Sequence, residues 1–366
     1  MKVSDVCSLM EQWAPSGYAY TWDRTGLRIG DPSATVKSVV VALTVDRKTF
    51  ALARRVKAQL VVAHHPVLWE PLKTLRTDDP LTRLYLDFAE AGIACYGSHT
   101  SLDIVADGVN DVLAERLGLI HTEPLFPVDH VAQLKLVTFV PASHLDVVRD
   151  AVCTAGAGVI GDYTHCSFSA PGTGTFRPTD KASPYSGKKQ LVNAEPEHRF
   201  EVIVNAALVN RVVAALRQAH PYEEVAYDLV QLQNKDRAIG IGRLGRLKKP
   251  VTLGHFAKEV RSALGLQHVR LVGESKRRVE RVAVMGGAGA SSVNRVPANV
   301  DVYVTGDVGY HDAHDAILRN LAVIDAGHHG TERWIVPAIA QYLKRMAKGL
   351  RVTTYMENDP FVSITG

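Results

Sequence analysis

Three apolar, β-branched runs in this chain each end in a cluster of histidines and carboxylates, and that recurrence restricts the fold more than any other feature. Leu60-Val-Val-Ala runs into His64-His65-Pro66. Ile93-Ala-Cys-Tyr-Gly-Ser leads to His99 and then to Leu102-Asp103, and Leu321-Ala-Val-Ile-Asp-Ala-Gly327 opens into His328-His-Gly-Thr-Glu332. Uninterrupted apolar runs of this kind are strands buried on both faces, and Pro66 cannot continue one. In an open α/β sheet, ligands bind beyond the carboxyl ends of the strands. The three clusters therefore have the address of a metal site.

The surrounding pattern supports such a sheet. Up to residue 123 the chain alternates helix and strand, with helices over 4–13, 49–57, 80–91 and 108–117 and strands over 36–43, 60–63 and 93–96. Alternation of this kind implies a largely parallel sheet covered on both faces. Between 124 and 236 it changes. Pro124 and Pro127 mark an entry, strand-like 132–140 precedes a helix near 143–155, and a long Gly/Ser/Thr/Pro-rich stretch occupies 161–189. A strand over 200–204, a helix over 207–219 and a strand over 225–232 follow, which is a ferredoxin-like order for an inserted domain. From 237 to 366 the α/β alternation resumes, with strands at 269–272, 281–285, 300–305 and 321–324 and helices at 252–264, 309–320 and 332–348. Gly286-Gly-Ala-Gly-Ala-Ser-Ser292 sits between strand and helix, but it lacks a Walker lysine and a G-x-G-x-x-G spacing, so a tight turn is expected and not a phosphate loop.

Length and composition set the outer limits. At 366 residues the chain exceeds one ordinary hydrophobic core, and three segments, 1–123, 124–236 and 237–366, divide it naturally. The net charge of +4 is too small to suggest a nucleic-acid or membrane surface. Four cysteines without C-x-x-C spacing read as reduced thiols of a cytoplasmic protein, and no signal-peptide core or membrane-length apolar run is present.

His64, His65, Asp103, His328 and Glu332 form a donor set for a pair of divalent transition metals such as Zn, Fe, Mn or Ni. Imidazole suits all of these, and a carboxylate can bridge two ions. His328 and Glu332 are four apart, so one helical turn would aim both at one point, with Thr331 as a possible cap. Five protein ligands leave room for water around two cations, and the residual positive charge favours an anionic ligand such as a phosphate. His99, Asp307 and His311 are candidates for supporting the ligands or moving protons, the last two spaced to share a helix face. His329 has a similar claim.

At these residues the chain resembles the NIF-three-like family of dinuclear metal-centre proteins, labelled GTP cyclohydrolase type 2 homologues. Trp22-Asp-Arg-Thr-Gly-Leu27 is similar to the family's W-D-N-x-G-L block, with Arg24 in the place of Asn. Ala63-His-His-Pro66, Ser98-His-Thr-Ser-Leu-Asp103, Thr305-Gly-Asp307 and Gly327-His-His-Gly-Thr-Glu332 resemble its other blocks. The resemblance implies the same five metal ligands, two similar α/β lobes facing each other across the metals, and a ring-shaped homohexamer. The middle segment, with His220-Pro-Tyr-Glu-Glu-Val-Ala-Tyr-Asp228, is similar to the PII/CutA-like insert of the family's long members. Two functions follow as expectations: a metal-dependent hydrolase opening the guanine imidazole of GTP with release of formate, and a metal-handling or regulatory adaptor whose insert senses a small molecule.

Overall fold

The computed structural model describes residues 1–129, 131–235 and 239–362. The chain divides into two compact units, Met1–Val128 with Arg237–Gly366, and Asp129–Asp236. The first unit begins with β1 (Gly26–Ile29), β2 (Ser38–Ala42), β3 (Leu60–Ala63), β4 (Ala94–Gly97) and β5 (Ile120–Pro127). β2, β3 and β4 run parallel and are buried at every position, as fully covered parallel strands must be, while β1 pairs antiparallel with β4 at the edge. Helices Arg47–Arg55 and Pro80–Glu90 cover one face, where Ala53, Leu84 and Phe88 pack on Val40, Val61 and Cys95. Both helices start on an aspartate: Asp46 accepts from the amide of Thr49 at 2.6 Å, and Asp79 from that of Leu81 at 2.7 Å.

The second unit holds β6 (Ala132–Pro141), β7 (Ser167–Phe176), β8 (Asn193–Asn205) and β9 (Tyr227–Lys235), with helices Leu145–Thr154 and Val209–Ala219. The sheet order is β7-β8-β6-β9 and every pairing is antiparallel. That is the βαββαβ order expected of a ferredoxin-like unit. Its core is its own: Val148, Val152, Val212 and Leu216 of the helices close on Leu136, Phe200 and Val202 of the strands. Within the Gly/Ser/Thr/Pro-rich stretch, residues 167–176 form β7 at the sheet edge, where a strand tolerates a proline such as Pro171.

The remaining strands return to the first unit: β10 (Gly240–Thr252), β11 (Arg270–Val272), β12 (Arg278–Val284), β13 (Val302–Thr305), β14 (Ala322–Asp325) and β15 (Arg351–Thr354). They make a second sheet of order β11-β14-β13-β12-β10-β5, parallel across β12, β13 and β14. Each half of the chain lends a strand to the other half's sheet. β5 pairs with β10, and β15 pairs with β2 to complete the first sheet as β1-β4-β3-β2-β15. The expected division at 123/124 is corrected by this exchange, since Pro124 and Pro127 belong to an edge strand of the second sheet and the unit continues through Val128. The expected division at 236/237 lies outside the described residues. Arg243 secures the crossing: its buried guanidinium grips both oxygens of Asp111 at 2.5 and 2.7 Å and donates to the carbonyl of Val105 at 3.0 Å. No helix among the described residues is long and apolar enough to cross a membrane.

Candidate metal centre

The parallel ladder delivers His64 and His65. Their amides donate to the carbonyls of Ala42 at 3.3 Å and Leu43 at 2.8 Å, prolonging the β2 pairing until Pro66 ends it. Gly97 closes β4 beside that turn, and a Cβ there would lie 2.8 Å from the Cα of Pro66, so only glycine lets the two strand ends approach this closely. Asp103 follows on the short helix Thr100–Ile104. His328 and Glu332 open and close another, His328–Glu332, and their spacing puts both on one side of a single turn.

These side chains converge. Glu332 Oε2 lies 3.0 Å from Nε2 of His65 and 3.0 Å from Nε2 of His328, while its Oε1 lies 3.7 Å from Nε2 of His64. Asp103 Oδ1 is 3.6 Å from the same His64 nitrogen. Three sets of donor atoms lie within 4.8 Å of one another and could hold a metal ion: His64, Asp103 and Glu332; His65, His328 and Glu332; and His64, His65 and His99. All five expected ligands therefore meet, and His99 joins them.

Two observations test whether the residues fit a cation. First, His64 Nε2 and Asp103 Oδ1 are buried without a hydrogen-bond partner, an arrangement that a protein interior avoids unless something else binds there. Second, the outer nitrogen of each imidazole is already held. His64 Nδ1–H donates to the carbonyl of Ser98 at 2.9 Å, His328 Nδ1–H to Asp307 Oδ2 at 2.7 Å, and His65 Nδ1 pairs with Thr44 Oγ1 at 2.9 Å. That leaves Nε2 of all three facing inward, the orientation in which imidazole binds metal. Gly287, at φ 66°, completes the cradle, because a Cβ there would overlap Glu332 Oε1. The donor set fits.

Electrostatics point the same way. Burial pushes the His64 imidazole down, but the Asp103 and Glu332 carboxylates outweigh it and hold its pKa up at about 9. His328 is also raised to about 9, mainly by its hydrogen bond to Glu332, with Asp307 adding to it. Burial, with Glu332 nearby, lifts Asp103 to about 6, whereas the three surrounding imidazoles overcome burial and keep Glu332 well below the usual carboxylate range. Burial lowers His65. The cluster attracts positive charge, and protons supply it when cations do not.

The other expected residues separate. His99 Nδ1 bonds Asp23 Oδ1 at 3.0 Å, and Asp23, despite burial, is held down to about 2 by His99, Thr100 and the Arg24 amide. Asp307 does not share a helix face with His311, because it lies ahead of helix Tyr310–Leu318 with φ 54° and serves His328 instead. His311 is exposed on that helix with its ring against Tyr310, outside the three donor sets. Thr331 is not a cap. Its hydroxyl bonds back to the carbonyls of Gly327 and His328 and accepts from the Gly287 amide at 2.9 Å, while the Gly286 amide donates to Asn110, so these amides of the glycine turn are engaged within the protein. His329 Nε2–H donates to the Glu357 carbonyl at 2.9 Å. Sequence reasoning missed Thr44, Asn110 and Asp23; only Asp23 carried a signal, as the residue after Trp22 in a recognisable block.

Comparison with known proteins agrees with this geometry. The model of the Duf34/NIF3 (NGG1p interacting factor 3) family matches residues 1–360. The chain belongs to that family. A Halalkalibacterium halodurans protein named GTP cyclohydrolase 1 type 2 homolog is 38% identical over the whole of both chains, and a Bacillus subtilis protein of the same name is 40% identical over 88% of this chain and 87% of its own. The crystal structure of a Bacillus cereus protein related to NIF3 superposes with a TM-score of 0.86 at 37% identity, covering 100% of this chain and 99% of that one. In this NIF3-family member the imidazoles and carboxylates come from both sheets of one compact unit.

Proposed function

We propose that this NIF3-family chain is a dinuclear metal-dependent hydrolase acting on a nucleotide or another phosphate-bearing substrate, with two divalent cations held between two α/β lobes. The carrying observation is the division of Glu332, one oxygen toward His64 and the other toward His65 and His328. A carboxylate so placed would serve two cations at once. A bound metal pair of this type would supply Lewis acidity and a water acidic enough to react near neutral pH. The protein's part is positional. His64, Asp103 and Glu332 would hold one cation and His65, His328 and Glu332 the other, with Ser98, Thr44 and Asp307 fixing the rings. His99, oriented by Asp23, would accept a proton from water and return it to the leaving group. Two cations against two carboxylates leave a positive balance that favours an anionic substrate.

The names of the relatives make GTP the first substrate to try. With metal loaded, GTP is expected to yield formate and a ring-opened product detected by mass spectrometry, and Asp103→Ala should abolish turnover. Full metal occupancy with GTP and a panel of phosphoesters untouched would overturn the hydrolase reading. It would favour a metal-handling adaptor, for which the separately packed insert, proposed to be PII/CutA-like and small-molecule sensing, is the specific support. Assembly as a homohexamer belongs to the same proposal, and analytical ultracentrifugation checks it.

A further inference from the structure

Two large aromatic side chains stand exposed beside the centre. Trp22 is 53% and Trp69 42% exposed. Their rings meet edge to face at 5.9 Å, Tyr20 stacks on Trp22 at 5.6 Å with 7° between planes, and Trp69 stands at 89° to the His99 ring, 5.4 Å away. An aromatic wall thus ends on the imidazole that contacts the His64 and His65 rings at 5.3 and 5.9 Å. A contiguous exposed patch of this kind marks a binding surface more often than a scattered apolar residue does.

The wall is built and not incidental. Asp23, next to Trp22, is fixed by His99, by the Thr100 amide at 2.9 Å and by the Arg24 amide at 2.6 Å. Leu68, next to Trp69, holds φ at 61°, a left-handed conformation that a branched side chain adopts only under constraint. The residue beside each indole is therefore held in a defined conformation.

We propose that Tyr20, Trp22 and Trp69 form the platform for a planar heteroaromatic ring of the nucleobase type, lying against the indoles with its polar edge toward His99 and the metal centre. An occupant here needs flat apolar faces for the wall and hydrogen-bonding edges for the imidazoles, and a nucleobase offers both. An aliphatic chain offers only the first. Arg24, its guanidinium nitrogen 3.4 Å from the Asp23 carbonyl, adds a permanent cation beside the wall for a phosphate group. The inference rests on the hydrolase reading for the ring's orientation, but its binding test needs no turnover.

The experiment titrates the Mn²⁺-loaded full chain with GMP and, separately, with ribose 5-phosphate by calorimetry. GMP should bind at least tenfold more tightly than ribose 5-phosphate and quench tryptophan fluorescence. Trp22→Leu and Trp69→Leu should each weaken GMP about tenfold while ribose 5-phosphate affinity and Mn²⁺ stoichiometry stay unchanged, and Trp22→Phe should recover most of the loss. Equal affinity for the two probes, or GMP affinity unmoved in both leucine variants, would overturn the platform. So would a changed sedimentation coefficient in those variants with GMP binding intact, which would make the wall a contact between copies of the chain. GMP binding as expected with no hydrolysis of any nucleotide would sink the hydrolase reading and leave the platform standing.

Discussion

The two triads that share Glu332 differ in their access to solvent. His64 is fully buried and Asp103 nearly so, whereas the side chain of His328 is 37% exposed and His65 is intermediate. One position is sealed behind the strand ends of the first sheet, and the other opens outward where β14 and β3 deliver their histidines. A closed coordination shell suits a cation that stays, and an open one suits a cation that exchanges ligands with substrate. The difference would assign unequal work to two triads that share one carboxylate and draw on adjacent histidines.

The most severe way to break that comparison is to remove what the triads share. Glu332→Gln should take metal content from two ions per chain to none, because the open triad loses its one carboxylate and the sealed triad is left with Asp103 and a single imidazole. Asp103→Asn should empty the sealed position only, and His328→Ala the open position only, leaving one ion each by elemental analysis after gel filtration. Equal metal content in all three variants would mean that the triads are not separate positions.

The protons of the metal-free protein give a second, smaller lever. His64 and His328 are both raised to about 9, the first by Asp103 and Glu332 against burial, the second by Glu332 and Asp307. A histidine whose folded pKa exceeds its unfolded value of about 6.5 adds stability that is complete below 6.5 and is lost as pH rises through 9. Metal-free protein should therefore melt at a lower temperature at pH 9 than at pH 6.5. Metal must displace the same protons, so affinity should fall about tenfold per pH unit below 9 for each proton released. Asp307→Asn should flatten only the component belonging to the open position. Calorimetric scans of stripped and loaded protein at several pH values make the measurement, and a stripped protein whose melting point rises from pH 6.5 to 9 would contradict the assignment.

Which parts of this were legible in the sequence has a physical explanation. Leu60–Ala63 reads as a buried strand because four consecutive apolar residues leave no other home, and β3 occupies those very positions. The five ligands stood out because they fall in the three clusters that follow such runs. β15 and β5 were not legible: Arg351–Thr354 has no apolar run, and Ile120–Pro127 carries two prolines, so only pairing with a distant strand makes either one a strand. The spacing of Asp307 and His311 suggested one helix face, but a left-handed residue before the helix start breaks the periodicity on which that reading depends. Thr44 has no signal at all, since its importance comes from a contact across folded space.

That contact supplies the finest test of the comparison. The Glu357 carboxylate accepts from the Leu43 amide at 3.3 Å and the Thr44 amide at 2.5 Å, fixing the end of β2, and Thr44 Oγ1 in turn meets His65 Nδ1 at 2.9 Å. The segment after β15 thus aims a ligand of the open position, whereas in the sealed position His64 is aimed by a backbone carbonyl that no substitution removes. Thr44→Val keeps the shape and deletes the hydroxyl, and loss of such an orienting partner typically costs about tenfold or more in metal affinity. The expected result is about tenfold weaker binding of the second Co²⁺ equivalent with the first unchanged, and Thr44→Ser should restore it. The visible absorption of Co²⁺ reports each position's coordination, so a general loosening of the fold, which would shift both equivalents together, is distinguishable from the loss of one ring's orientation.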